Sequence, residues 1–282
     1  MFFRLVGYGV LYYIKDKVHS VFNFNKINEE VGSMMKKFSW FMAVVLVLFM
    51  ISNGNVFAKE FINGIDANFP PFAYVDKAGN PGGFDIDSVN WIAKKMGFTV
   101  KHQPMDWDGI IPNLVAKKID FIASGMSITP ERQKVVNFSI PYWTIKQVFV
   151  AKKDSKLTVD QVLKGKKRLG VQRGTSEAEW LKDNAAKEGW DFELVYYDSA
   201  PLAVEDVLNG RIAAAAMDDA PAMDAESKKP VKILGTFGMH DEEFGYAIRK
   251  QDTELLDTLN KGLKMLMADP YWDELVKKYL RK

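Results

Sequence analysis

The 282-residue chain has no cysteine, so disulfides and thiolate metal sites are excluded. Histidine is scarce too: His19, His102 and His240 are scattered without ligand spacing, which argues against a histidine-built metal centre and against a Ser-His triad. Neither sign of charge is in excess, with 38 Lys and Arg against 36 Asp and Glu, a net charge of +2. Without a basic stripe interleaved with aromatics, the footprint of a nucleic-acid-binding protein is missing. The apolar run from Phe38 to Ile51 is too short, at about 1.5 Å per residue, for a comfortable ~30 Å membrane span. What remains, 48% hydrophobic and 26% charged, is the composition of an ordinary globular protein of one or two domains, with no cofactor expected.

That apolar run reads instead as part of an export signal. Met34-Met35-Lys36-Lys37 supplies a positive n-region, Phe38 to Ile51 the h-region, and Val56-Phe57-Ala58 a small-residue cleavage site. Residues 34–58 are therefore expected to be a signal peptide cleaved after Ala58, the alternative being a retained anchor. Residues 1–33 precede a complete signal and read as a mis-called extension, with translation starting at Met34 or Met35. Cleavage removes six basic and three acidic residues, leaving the mature chain nearly neutral. No cysteine follows the h-region to carry a lipid. An unanchored exported protein needs an outer membrane to retain it, which favours a Gram-negative periplasm.

Beyond Ala58, short strands alternate with helices, the pattern of α/β units on mostly parallel sheets. Phe61 to Ile65 is an expected strand, Gly79 to Gly83 a turn, and Ile86 to Met96 a helix whose apolar face carries Ile86, Val89, Ile92, Ala93 and Met96. Trp107 falls in the turn before a second helix, Ile110 to Lys117. From Val148 a second unit begins: a strand to Lys153, a short helix capped by Thr158, a strand Arg168 to Gln172, a helix Glu177 to Lys187 and a buried strand Ala213 to Met217. Near Phe244 the chain returns to the first unit, and an amphipathic C-terminal helix follows, Thr253 to Tyr279, broken at Pro270. The expectation is two lobes joined by two crossing strands, residues 59–145 with 244–282 forming one and residues 146–243 the inserted other.

One segment stands out chemically. Ile119 to Ala123 reads as a buried strand, Ser124-Gly125-Met126 as its tight exit, Thr129 as an N-cap and Pro130 as the first helical residue. Arg132 then lies in the first turn, where the helix dipole disfavours a cation by roughly 0.3–1 kcal/mol. Converging N–H groups, hydroxyls and a guanidinium would trap a carboxylate. A solvated arginine on a well-capped helix is the competing reading.

Four stretches carry a resemblance: Gly83-Phe84-Asp85-Ile86-Asp87, Met105-Asp106-Trp107-Asp108-Gly109-Ile110-Ile111-Pro112, Ser127-Ile128-Thr129-Pro130-Glu131-Arg132 and Gly170-Val171-Gln172-Arg173-Gly174-Thr175. In this order the chain, from Phe61 to Tyr279, closely resembles the periplasmic solute-binding proteins that deliver polar amino acids to ABC importers. The resemblance implies the type II periplasmic-binding fold, an α/β architecture of two lobes hinged around a ligand, acting as a monomer with a membrane permease as partner. It implies that Arg132 and Ser127 hold the ligand carboxylate, that Thr175 and Ser176 add donors from the second lobe, and that Asp218 pairs with the ammonium. Gly125 would contribute its backbone, Phe69 and Trp107 aromatic walls, and Asp66 a contact to a polar side chain, with Gln172 and Glu177 as weaker candidates. Capping is the competing role for Thr175, Ser176 and Asp218.

Three positions depart from the family: Gly125 where several relatives have serine, Met217 where others are polar, and Glu177 where amides or small residues are common. Asp66 and Glu177 disfavour acidic ligands, because like charges repel in a dry cleft. A neutral polar or cationic L-amino acid is expected. The alternative is a dehydratase of the same fold acting on a prephenate-like or amino-acid-like substrate, with Glu177 as general acid, but no paired base accompanies it and a non-enzymatic role is expected.

Overall fold

The computed structural model describes residue 29, residues 31–42 and residues 59–281. The expectations for residues 1–28, for the cleavage site and for most of the h-region lie outside the described residues. Residues 31–42 are helical and belong to a unit, residues 1–57, set apart from residues 58–282. Among the described residues no helix is long and apolar enough to cross a membrane.

In the larger unit the elements run β1 (Glu60–Ile65), β2 (Asn68–Phe69), β3 (Ala73–Val75), β4 (Pro81–Gly82), α1 (Phe84–Met96), β5 (Thr99–Pro104), a 3-10 turn (Trp107–Gly109), α2 (Ile110–Val115), β6 (Phe121–Ile122), α3 (Pro130–Val135), β7 (Val136–Phe138) and β8 (Trp143–Ile145). Then follow β9 (Gln147–Lys152), α4 (Val159–Lys164), β10 (Lys167–Gln172), α5 (Ser176–Ala185), β11 (Phe192–Tyr197), α6 (Ala200–Asn209), β12 (Ala214–Asp218), α7 (Asp219–Lys228) and β13 (Val231–Thr236). The chain closes with β14 (Glu242–Phe244), β15 (Ala247–Arg249), α8 (Thr253–Met267) and α9 (Pro270–Tyr279).

Two five-stranded sheets result, ordered β5-β1-β6-β15-β7 and β11-β10-β12-β9-β13. Each is parallel through its βαβ units and acquires one reversed strand where the chain crosses, β15 between β6 and β7 in the first sheet and β9 between β12 and β13 in the second. A separate two-stranded ribbon pairs β8 with β14, Glu242 opposite Ile145 and Phe244 opposite Trp143. These are the crossing strands, and they make this the expected two-lobed α/β fold.

Apolar periodicity explains the layers. Ile86, Val89, Ile92 and Ala93 of α1 are buried, and α1 packs with Leu259, Leu263 and Leu266 of α8 and Leu275 of α9 into one core on the first sheet. Burial of each such side chain stabilises the fold by about 1.5–3 kcal/mol. Ile110 and Leu114 of α2 cover the opposite face against Ile119, Ile122 and Val136. The second sheet is likewise buried on both faces, by α6 and α7 on one side and by α4 and α5 on the other. The break at Pro270 is real: Asp269 caps α9 by accepting from the Tyr271 N–H.

Candidate functional site

Between the two sheets lies a crevice lined by Phe69, Trp107, Gly125, Ser127 and Arg132 from the first lobe and by Gln172, Thr175, Ser176, Glu177, Ala200, Met217 and Asp218 from the second. Each wall is built at carboxyl ends of strands, where open α/β sheets place their ligands. On the first side the loop after β6 is stitched to the crossing strand: Ile128 N–H donates to the Glu243 carbonyl (2.8 Å) and Gly245 N–H to the Met126 carbonyl (3.0 Å). Thr129 Oγ1 accepts from the Arg132 N–H at 3.2 Å, and Pro130 opens α3 as the sequence suggests.

The Arg132 guanidinium turns back over this loop. Nη1 donates to the Ser127 carbonyl at 3.0 Å, Nη2 reaches across to the Gly174 carbonyl at 3.2 Å, and the group sits 5.6 Å from the centre of the Trp107 ring. Trp107 Nε1 donates to the same Gly174 carbonyl at 3.1 Å. One acceptor on the second lobe thus takes donors from two residues of the first. Phe69 lies nearly parallel to Trp107, centroids 6.5 Å apart.

Asp218 ends β12 at the N-cap position of α7, yet its side chain makes no capping bond. Its Oδ1 accepts instead from Gln147 Nε2 at 3.3 Å, and Gln147 Nε2 also donates to Glu242 Oε2 at 3.1 Å. Ser176 Oγ donates to that same Glu242 oxygen at 2.7 Å. Thr175 does cap α5, accepting from the Ala178 N–H at 3.4 Å, while its own hydroxyl donates to the Gln172 carbonyl at 2.8 Å.

Charge in the crevice is unbalanced. Burial raises the Asp218 pKa well above the usual carboxylate range, and Glu177, Glu242 and Asp219 push it the same way. Burial also raises Glu177, to about 7, with Glu242 adding to the shift and Arg132 opposing it. Arg132 is shifted down by burial but held up by Glu242, Glu177, Glu179 and Asp218. Among the residues lining the crevice, one guanidinium therefore faces two carboxyl groups that burial pushes towards their neutral forms.

One expected residue, Asp66, stands elsewhere than the sequence suggests, and Gly125 keeps only the accepting half of its expected backbone role. Asp66 is buried but does not line the crevice: its Oδ2 accepts from Gln172 Nε2 at 2.8 Å, and Oδ1 from the Asn68 N–H at 2.9 Å. It stands behind Gln172. Gly125 cannot donate to a ligand, because its N–H goes to Asp85 Oδ2 at 2.7 Å, leaving only its carbonyl. Its glycine identity has a steric cause, since at φ 62° a Cβ would stand 2.4 Å from Phe69 Cε1. Asp85 also accepts from the Tyr142 hydroxyl at 2.9 Å, and burial raises its pKa to about 7.

Sequence reasoning missed Glu242, Gln147, Ala200 and Asp85 as parts of the site. Glu242 sits in the acidic run Asp241-Glu242-Glu243, which reads as solvated surface until its crossing strand is paired. Asp85 lies within one of the motifs singled out, but nothing local reveals its partner Gly125.

The space left between the walls is small, about 20 Å³. That holds roughly one water molecule and not an amino acid. Among the described residues no group of histidine, cysteine, aspartate and glutamate is arranged to hold a metal ion.

The profile of the family described as bacterial extracellular solute-binding proteins, family 3, matches residues 61–282. The chain is 34% identical over 224 residues to the ABC transporter arginine-binding protein 1 of Escherichia coli (strain K12), which covers 77% of this chain and 90% of that protein. A mutant of ArgBP from T. maritima superposes with a TM-score of 0.72 at 36% identity, covering 79% of this chain and 96% of the other. An ancestral amino acid-binding protein, described as a precursor of cyclohexadienyl dehydratase, superposes with a TM-score of 0.72 at 35% identity, covering 78% and 95%.

Proposed function

Because the chain belongs to the bacterial extracellular solute-binding proteins, family 3, we propose that its crevice captures a free L-amino acid with a cationic side chain, arginine before all, for delivery to the permease of an ABC importer. The observation that carries this reading is the opposition of charges across one crevice: Arg132 from the first lobe, Asp218 and Glu177 from the second. Arg132 and Ser127 take the ligand carboxylate and Asp218 its ammonium, assisted by donors at Thr175 and Ser176. Phe69 and Trp107 flank the side chain. The remaining carboxyl groups, Glu177 directly and Asp66 through Gln172, balance its positive end. The arginine-binding names of the relatives support the choice of a cation over a neutral ligand.

Capture proceeds by hinge motion about β8 and β14. Opening admits the ligand to Arg132; closing brings the second lobe to it, and contacts present only in the closed state shift the population. The protein works as a monomer in the periplasm after cleavage at Ala58, and binds without transforming its ligand. A thermal-shift screen of the purified protein against the standard amino acids tests this. A ligand that binds only the folded form adds about 2.7 kcal/mol of stability at a hundredfold excess over its dissociation constant. Arginine or lysine should give the largest shift. No shift with any amino acid refutes the reading, and product formed from prephenate or arogenate would favour the dehydratase instead.

A further inference from the structure

Next to the crevice lies a second, larger cavity of about 170 Å³, lined by Asn68 and Pro70 of the first lobe and by α6 and α7 of the second, among them Pro201, Val204 and Ala225. On the same measure it is several times the size of the crevice, at about 20 Å³. The two share walls. Ala200 and Met217 line both, and Phe69, which lines the crevice, stands between Asn68 and Pro70, which line the larger cavity. Met217 is thus common to both, and its unbranched thioether can take up other rotamers. The walls beyond Met217 are largely apolar; Asp224, Lys228 and Lys229 also line the cavity, and their charges are taken up in ion pairs, Lys228 with Asp224 at 2.6 Å and Lys229 with Glu205 at 2.5 Å.

We infer that this cavity is a distal subsite for ligands longer than the standard basic amino acids: basic amino acids whose terminal nitrogen keeps its charge and carries an apolar substituent. The inference rests on the function proposed above, because the amino-acid end must be anchored in the crevice for the substituent to point past Met217. Size and chemistry set the class. A volume of 170 Å³ accommodates at least about five groups of water or methylene size, at ~30 Å³ each. The carboxyl groups of the crevice require the nitrogen to stay cationic, which excludes acyl substituents, and the apolar walls reward hydrocarbon.

The test is calorimetric titration of the full chain with L-arginine, L-lysine and the series Nε-methyl-, Nε-ethyl- and Nε-butyl-L-lysine. Each methylene that enters the cavity strengthens binding about fourfold, so the butyl compound should bind at least about tenfold tighter than the methyl compound. Ala225→Phe fills the cavity from α7 without touching the crevice. It should abolish this gain while leaving arginine binding unchanged, and the unchanged arginine binding shows that the variant is folded. Should arginine bind while affinity is flat or falls along the series, the distal subsite is refuted and the crevice reading stands. A gain that persists in Ala225→Phe also refutes it, by placing the substituent elsewhere. If neither arginine nor any derivative binds, both readings fall.

Discussion

With a cationic ligand placed against Glu177 as proposed, the raised pKa of this residue makes affinity depend on pH with a definite sign. With its pKa pushed to about 7 by burial and by Glu242, Glu177 is largely protonated in the free protein at pH 6. A ligand cation beside it favours the carboxylate, so binding expels the proton and tightens as pH rises. If the bound-state pKa falls to the ordinary glutamate range, affinity at pH 5.5 is about 30-fold weaker than at pH 8, on the order of 2 kcal/mol. At pH 6.5 binding releases roughly three quarters of a proton from Glu177 alone. Asp218 is shifted in the same direction and adds to both effects. The free protein follows the opposite slope. Its Glu177 has a higher pKa folded than unfolded, so between the unfolded value of 4.5 and about 7 the folded state holds more protons and stability falls as pH rises. Calorimetric titration of arginine in two buffers of different ionisation enthalpy, at several pH values from 5.5 to 8, measures affinity and proton release together. A dissociation constant constant over that range, with no proton released, removes Glu177 and Asp218 from the ligand.

Further outcomes are expected from single substitutions. Asp218→Ala should weaken arginine binding by about 2–5 kcal/mol, because the ammonium is left unpaired, while relieving the free protein of a buried, desolvated acid. Calorimetry and denaturant unfolding should therefore move in opposite senses, and an unchanged affinity removes Asp218 from the site. Arg132→Lys should also weaken binding, since a point charge cannot hold the Ser127 carbonyl and grip the ligand carboxylate with a fork at the same time. Equal affinity would assign the carboxylate to backbone donors. Gly83→Ala should destabilise the first lobe by at least ~1–3 kcal/mol, because its φ is 128° and a Cβ would stand 2.2 Å from the Phe72 carbonyl oxygen; a Tm within one degree of the parent would contradict that.

Elements with a strong local signature were legible in the sequence. The Thr129-Pro130 start of α3 and the Thr158 cap of α4 are each determined within a single turn of chain, the apolar stripe of α1 by its spacing along one helix, and each forms as expected. Helix α1 begins two residues before its expected start because Gly83, at positive φ, already turns the backbone. The clustering of Arg132, Trp107, Ser176 and Asp218 around one crevice follows from topology, since all lie at strand ends or in the first helical turn that follows them. What stayed hidden was long-range pairing. The placement of Asp66 behind Gln172 depends on a hydrogen bond spanning 106 residues. The capture of the Gly125 N–H by Asp85 spans 40 residues. Glu242 joins the site only because β14 pairs with β8. No periodicity encodes such contacts, since they are chosen by which strand ends the sheet order brings together.

The narrowness of the crevice bears on how closure and recognition are coupled. The Gly174 carbonyl is held by Arg132 and Trp107, and Gln172 by Asp66, so three hydrogen bonds join the lobes without help from any ligand. A neutral bond of this kind contributes about 0.5–1.5 kcal/mol and one to a charged group about 1.5–3, so these contacts bias the hinge towards closure before capture. An amino acid cannot enter the remaining 20 Å³, so it must bind when the lobes part and must reclaim the space that Arg132 occupies on closing. On the proposed reading the guanidinium then exchanges a carbonyl of the second lobe for the ligand carboxylate, a stronger, charge-assisted partner. Trp107 can keep its bond to Gly174 throughout. A cationic amine without a carboxylate would be drawn to the acids of the second lobe but would offer Arg132 nothing in exchange, leaving two like charges enclosed together. The proposed role of Arg132 thus puts selection for the zwitterion at closure rather than at first encounter.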